Sequence, residues 1–420
     1  MSNLLRSTMS ARLVKLPLEL PPDPSDLSAN DSDEDDEFLD AESDELEAGD
    51  ALGSLGGHGG YSGLGPPAIP FLKPRVRAPK KPNPDFAPIS AMDYFADALQ
   101  VLVPSRSLDC RVYYTPPGGG GETTVLVCHH GAGYSGLSFA SLAREVRAQG
   151  RGEVGLLAAD ARRHGKTKST KEGEEDPDLS IDVLVDDFTD MLREVFPDPT
   201  VAPTLLLVGH SMGGSVVVRA CPLLLDAKYR VSGVAVLDVV EGSALEALPH
   251  MHSLLNARPD GFDSVEEAVE WHVKTKTIRS AQSARVSVPS IVVPAGAADA
   301  ATDNINGVKA QPPHAYVWRT PLRSTAGYWS GWFTGLSTAF LAARAARLLL
   351  LAGTDRLDKP LMIAQMQGKF QMVVVGGVGH MMHEDDPMHV ADLLLEFWRR
   401  NDRARIPLRA GVSVKGVGEG

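Results

Sequence analysis

Between residues 111 and 240, short apolar runs alternate with segments whose apolar side chains recur every three or four positions. The runs fall at 111–114, 124–128, 154–159, 204–208 and 233–237, and helical spacing marks 138–149, 181–195 and 213–225. The same alternation returns late in the chain, with runs at 347–352 and 371–375 and a helix at 388–400. Strands alternating with amphipathic helices predict an α/β fold: a mostly parallel central sheet with helices on both faces. From Glu241 to about Arg344 the alternation stops. Helical patterns at 244–256 and 264–281 lead into a polar segment at 295–312, then into Tyr316, Trp318, Tyr328, Trp329, Trp332 and Phe333. Four of the five tryptophans fall in this stretch, which is expected to form an inserted helical lid over the strand ends. Its rings have two uses open to them, lining a pocket or burying the lid's own core.

The ends of the chain lack such patterning. Residues 17–90 are rich in Pro, Gly, Ser and acid, with too few apolar side chains to offset the entropy of ordering, and order is expected to begin near Asp85. The expected division is a disordered region 1–84, a first core part 85–240, a lid insertion 241–344, a second core part 345–405 and a disordered tail 406–420. Residues 16–72 hold 15 Asp and Glu and no Lys or Arg, so the net charge of −13 becomes about +2 once those carboxylates are set aside. No basic field for nucleic acid remains, and no apolar run is long enough to span a bilayer. The three cysteines, Cys110, Cys128 and Cys221, lack C-x-x-C spacing and read as reduced core residues of an intracellular protein, cytoplasmic with the nucleus not distinguished. The Gly118 to Gly121 run reads as a loop tip, since no helix opens after it to cradle a phosphate.

The sharpest chemical signal lies where the run 204–208 meets Gly209-His210-Ser211-Met212-Gly213. This is the form of a nucleophile elbow, a tight strand-to-helix turn that exposes a serine hydroxyl at a helix N-terminus. A serine needs a base, and the base needs an acid to fix its tautomer. His380 follows the 371–375 strand and a glycine-rich loop near the chain end, where this architecture places its base. His383 is the fallback, and His210 packs beside the elbow. Two acids compete at strand ends: Asp238, after the strand that follows the elbow, and Asp355, one strand later and slightly favoured by pattern alone. For the oxyanion hole, Met212 offers one backbone N–H and Ala132, within His129-His130-Gly131-Ala132-Gly133, offers the other. The segment Asp160-Ala161-Arg162-Arg163-His164-Gly165 also follows a strand and is expected to shape the same face, with an arginine available for an acidic peptide.

Several longer strings resemble one family, the protein phosphatase methylesterases. They are Gly209 to Gly214, Asp238-Val239-Val240-Glu241-Gly242, Ser283 to Ser287, Tyr328-Trp329-Ser330-Gly331-Trp332-Phe333, Leu349 to Gly353 with Asp355 to Lys359, Gln365 to Met372, and Gly379-His380 with His383-Glu384-Asp385. The resemblance covers most of residues 85–400 and implies an α/β-hydrolase fold. It further implies a serine esterase that removes the methyl ester from the C-terminal leucine of the type 2A phosphatase catalytic subunit, with neither metal nor organic cofactor. The triad it implies is Ser211, Asp238 and His380, which reverses the pattern-based preference for Asp355. The family's H-G-G-G loop stands here as His130-Gly131-Ala132-Gly133, which keeps the oxyanion hole if Ala132 holds a negative φ. The implied partner is the methylated phosphatase tail; no nucleic acid and no membrane are implied. A general small-ester carboxylesterase and a non-catalytic phosphatase-binding inhibitor are the alternatives on the sequence.

Overall fold

The computed structural model describes residues 81–118, 123–171, 178–296, 314–353 and 357–402. The expectations for residues 1–80, most of the glycine tip, nearly all of the polar 295–312 segment, Asp355 and the tail from 403 onward lie outside the described residues. Among the described residues, nine strands form one sheet: β1 (Asp97–Val103), β2 (Leu108–Thr115), β3 (Thr124–His129), β4 (Val154–Ala159), β5 (Lys168–Ser169), β6 (Thr204–His210), β7 (Val231–Leu237), β8 (Ala346–Leu351) and β9 (Gln371–Val374). Their order is β1-β2-β4-β3-β6-β7-β8-β9, with β5 beside β2. The pairs from β4 through β9 are parallel, and β1, β2 and β5 join antiparallel.

The continuous apolar runs follow from burial on both faces. Val125 and Val127 of β3, with Leu205 and Leu207 of β6, face a core shared with α2 (Ile181–Val195) and α3 (Met212–Asp226). The intervening Leu126, Cys128, Leu206 and Val208 face the opposite core, against α1 (Ala140–Gln149) and α4 (Pro387–Asn401). A strand whose two faces both meet helices has no position for a polar side chain, and its run is unbroken. β1 was not legible in the sequence, because most of its side chains are exposed and the run Asp97–Val103 lacks alternation. Among the described residues, no helix is long and apolar enough to cross a membrane.

Between β7 and β8 the chain forms helix Glu241–Ala257 and a three-stranded antiparallel sheet in the order Gly261–Phe262, Tyr316–Trp318, Val292–Pro294. The helix expected over 264–281 is two helices, Val265–Lys274 and Ala281–Ser287. Lys276 at φ 56° breaks the first, and the Ser280 side chain caps the second by accepting from the Ser283 N–H. The aromatic rings divide between two cores. Phe262, Trp271 and Trp318 pack in a small cluster with Val269, Ile278 and Ile291, which Tyr134 and Met381 from the main unit also enter. Trp329, Trp332 and Phe333 join the α2 and α3 core, and Trp332 Nε1–H donates to the Leu179 carbonyl at 2.7 Å.

Candidate active site

β6 ends at His210 and α3 begins at Met212, so a single residue, Ser211, turns the chain. It does so at φ 52° and ψ −121°, a strained conformation for a residue with a Cβ. The flanking glycines are demanded by contact. A Cβ on Gly209 would lie 2.2 Å from the Gly213 carbonyl oxygen, and one on Gly213 would lie 2.1 Å from that of His129. The turn is held by bonds from the Ser211 N–H to the Leu237 carbonyl (3.1 Å) and from the Gly214 N–H to the Ser211 carbonyl (2.8 Å).

Asp238 sits just past the end of β7, the strand beside β6, again at a positive φ of 51°. Its side chain is buried, and Oδ1 accepts the Ala352 N–H at 2.9 Å. Oδ2 lies 2.8 Å from His380 Nδ1. An ionised carboxylate can only accept, so His380 carries its proton on Nδ1 and presents Nε2 as the free base. The His380 side chain is 50% exposed, which leaves that nitrogen open to a reactant. Ser211 Oγ and His380 are not hydrogen-bonded to one another in this structure; such catalytic contacts commonly close only with substrate in place.

The loop bearing His380 is braced from several sides. His210 Nε2–H donates to the His380 carbonyl at 2.8 Å. Asp385 accepts the Gly379 N–H at 2.7 Å and the Arg279 N–H at 2.8 Å, and Arg279 in turn donates to the Gly377 carbonyl. His383 is fully buried, stacked on Phe139 and tilted against His210, each ring 4.6 Å away, with neither nitrogen hydrogen-bonded. Burial, and then the neighbouring His380 imidazole, pushes its pKa down to about 3, so a sealed neutral ring stands where the fallback base was expected.

Next to it, Glu384 is buried with Oε2 accepting from Ser287 Oγ at 2.6 Å. Burial raises its pKa from 4.5 to about 8; the Ser287 bond opposes the shift and Asp385 adds to it. The acid is therefore neutral in the fold and ionised in the unfolded chain between those two values. Stability from this group is complete below pH 4.5, falls as pH rises and levels off above pH 8. Glu384→Gln is expected to leave the melting temperature unchanged near pH 4 and to raise it by several degrees at pH 8. Thermal melts across that range test it; a constant offset at all pH values would contradict it.

The loop His130-Gly131-Ala132-Gly133, expected to supply the oxyanion hole, is fixed by two buried histidines to which the sequence assigned no bracing role. His130 Nδ1–H donates to the Gly131 carbonyl (2.8 Å) while its Nε2 accepts the Ala161 N–H (3.0 Å). His164 Nδ1–H donates to the Arg162 carbonyl (2.7 Å) while its Nε2 accepts the Gly133 N–H (2.9 Å). Both accept through a lone pair and so must be neutral, and burial lowers the pKa of each, that of His164 to about 4. With the Gly133 N–H engaged, the N–H groups of Ala132 and Met212 still have no acceptor among the described residues. Ala132 is absent from the positive-φ residues, as the oxyanion hole requires. Its neighbours must be glycine: a Cβ on Gly131 would approach His210 Nδ1 to 2.8 Å, and one on Gly133 would approach Leu322 Cδ1 to 2.7 Å. The sequence expectation of a free arginine in the 160–165 segment is corrected for Arg162. It is buried, and its Nε and Nη2 donate to the two oxygens of Asp187 at 2.7 and 2.8 Å. Among the described residues, no group of three His, Cys, Asp or Glu side chains is placed to hold a metal ion.

Residues 126–393 match the alpha/beta hydrolase family. The chain is 46% identical over 369 residues to protein phosphatase methylesterase 1 of Cryptococcus neoformans, an alignment covering 82% of this chain and 86% of that protein. It is 39% identical over 325 residues to protein phosphatase methylesterase 1 of Schizosaccharomyces pombe, covering 76% and 88%. Among solved structures, E-2-(acetamidomethylene)succinate hydrolase superposes with a TM-score of 0.53 at 18% identity, over 72% of this chain and 98% of that one, a likeness of fold alone.

Proposed function

Because this chain belongs to the protein phosphatase methylesterase family of α/β-hydrolases, we propose that it hydrolyses the methyl ester on the C-terminal leucine of the type 2A phosphatase catalytic subunit. The observation that carries the chemistry is the buried Asp238 carboxylate 2.8 Å from His380 Nδ1, one strand from the Ser211 elbow. Ser211 Oγ attacks the ester carbonyl while His380 Nε2 takes its proton, and Asp238 stabilises the imidazolium. The oxygen charge that develops is met by the Ala132 and Met212 N–H groups. Collapse of the tetrahedral intermediate expels methoxide, which takes the proton from His380 and leaves as methanol. Water, deprotonated by His380, then attacks the acyl-serine and frees the carboxylate and Ser211. The segment between β7 and β8, with its contacts to Tyr134 and Met381, is the surface we assign to the phosphatase. Three free, buried cysteines fit a reducing compartment, and we place the protein in the cytoplasm, open to the nucleus.

Methanol release from the carboxyl-methylated catalytic subunit and from its isolated methylated tail peptide tests the reading. The expected result is release from the intact subunit at a rate well above that for unrelated short esters. Equal turnover of many short esters would make the protein a general carboxylesterase. Binding to the subunit without any release would make it an inhibitor.

A further inference from the structure

One arginine outside the triad lacks the partner its burial calls for. Arg258 ends helix Glu241–Ala257 and lies over Trp318, its Cζ 3.7 Å from the ring centroid, with Trp271 at 6.0 Å. Trp318 is fixed by its Nε1–H bond to the Pro259 carbonyl (2.7 Å) and by edge contact with Phe262 (5.2 Å). Burial, followed by nearby Arg323, lowers the Arg258 pKa, but a guanidinium remains charged throughout the working range. Among the described residues no carboxylate pairs with Arg258, and its nitrogens are not sealed from solvent. Arg323 is already committed to the Leu255 carbonyl (2.8 Å) and to exposed Asp260 (3.2 Å).

The place of this pair gives it a use. Arg258 is close enough to Tyr134 for each to shift the other's titration, and Tyr134 directly follows the oxyanion loop. Leu322, beside Arg323, packs directly on Gly133. A guanidinium whose Cζ sits over an indole face leaves N–H donors at its rim, in the fork that a carboxylate accepts in pairs. A half-buried charge without a counterion among the described residues favours binding one that arrives with a ligand. We propose that Arg258, seated on Trp318 and backed by Arg323, receives a side-chain carboxylate of the polypeptide whose esterified C-terminus enters the site. This rests on the methylesterase reading.

The test uses peptides ending in leucine methyl ester, each with one Asp or Glu at a single position before the leucine, and matched Asn or Gln versions. Wild-type protein is expected to show kcat/KM about tenfold higher for the acidic member at one position, through KM. Arg258→Met should remove that preference and Arg258→Lys should keep part of it. The readout is the acidic-to-neutral ratio within each variant, with competent enzyme counted by stoichiometric phosphonate labelling of Ser211, so a general loss of fold cancels. The proposal is overturned if wild type has no acidic preference at any position, or if Arg258→Met retains it. Hydrolysis of short acyl esters with no leucine methyl ester peptide turned over would be a different pattern, in which the methylesterase reading fails and takes this one with it.

Discussion

Replacing Ser211 by alanine is expected to lower methyl-ester hydrolysis by about 10⁴-fold or more, because no other group can form the acyl intermediate. His383 cannot substitute as base or nucleophile, since both of its nitrogens are buried and without a route to a reactant. The loss should appear in kcat, with binding of methylated substrate retained. Stability should change little, because alanine at φ 52° bears the same backbone strain as serine. Single-turnover kinetics on the methylated phosphatase tail, paired with thermal melts, separates these effects. Residual activity within tenfold of wild type would remove Ser211 from the nucleophile's role.

Asp238→Asn is expected to cost about 10⁴-fold in kcat, and the geometry says why. Asp238 Oδ1 accepts the Ala352 N–H, so an asparagine would place its carbonyl oxygen there and turn its amide NH₂ toward His380. Two donors then face each other unless His380 moves its proton to Nε2, the atom that must accept from Ser211. The fold should survive, since the amide keeps the shape and the Ala352 bond. Kinetics with Asp238→Asn beside Asp355→Asn decides between the two acids. A large loss from the Asp355 variant and a small one from the Asp238 variant would move the role one strand along.

How far the site could be read in the sequence depended on whether its cause was local. The parallel strands were legible because two-sided burial leaves unbroken apolar runs, as in Leu205 to Val208. The elbow was legible because its two glycines stand at fixed offsets from Ser211; a Cβ on Gly209 would strike the Gly213 carbonyl four residues on, while Gly213 answers to the distant His129 carbonyl. Edge strand Asp97–Val103 was not, having little burial to shape its pattern. The helix break at Lys276 turned on one backbone angle that its side chain does not announce. Nothing in a glycine-rich loop reveals that His164, 31 residues on, will accept the Gly133 N–H. Arg162, in the loop after β4, looked available for the same reason, since its partner Asp187 lies 25 residues on in helix Ile181–Val195.

The acid was ambiguous in the sequence for a reason that lies in the sheet. β7 and β8 are parallel neighbours in register, with Leu237 opposite Leu350, and the Asp238 N–H donates to the Leu350 carbonyl. The ends of both strands meet at Asp238, whose Oδ1 takes the Ala352 N–H while Oδ2 faces the imidazole. A carboxylate carried a short way past either end could serve His380 Nδ1 without disturbing a ladder bond. In evolutionary terms the acid is a transferable part: a lineage could gain a second carboxylate on the adjacent strand, pass through a state with both, and lose the first while the nucleophile and base stay where they are.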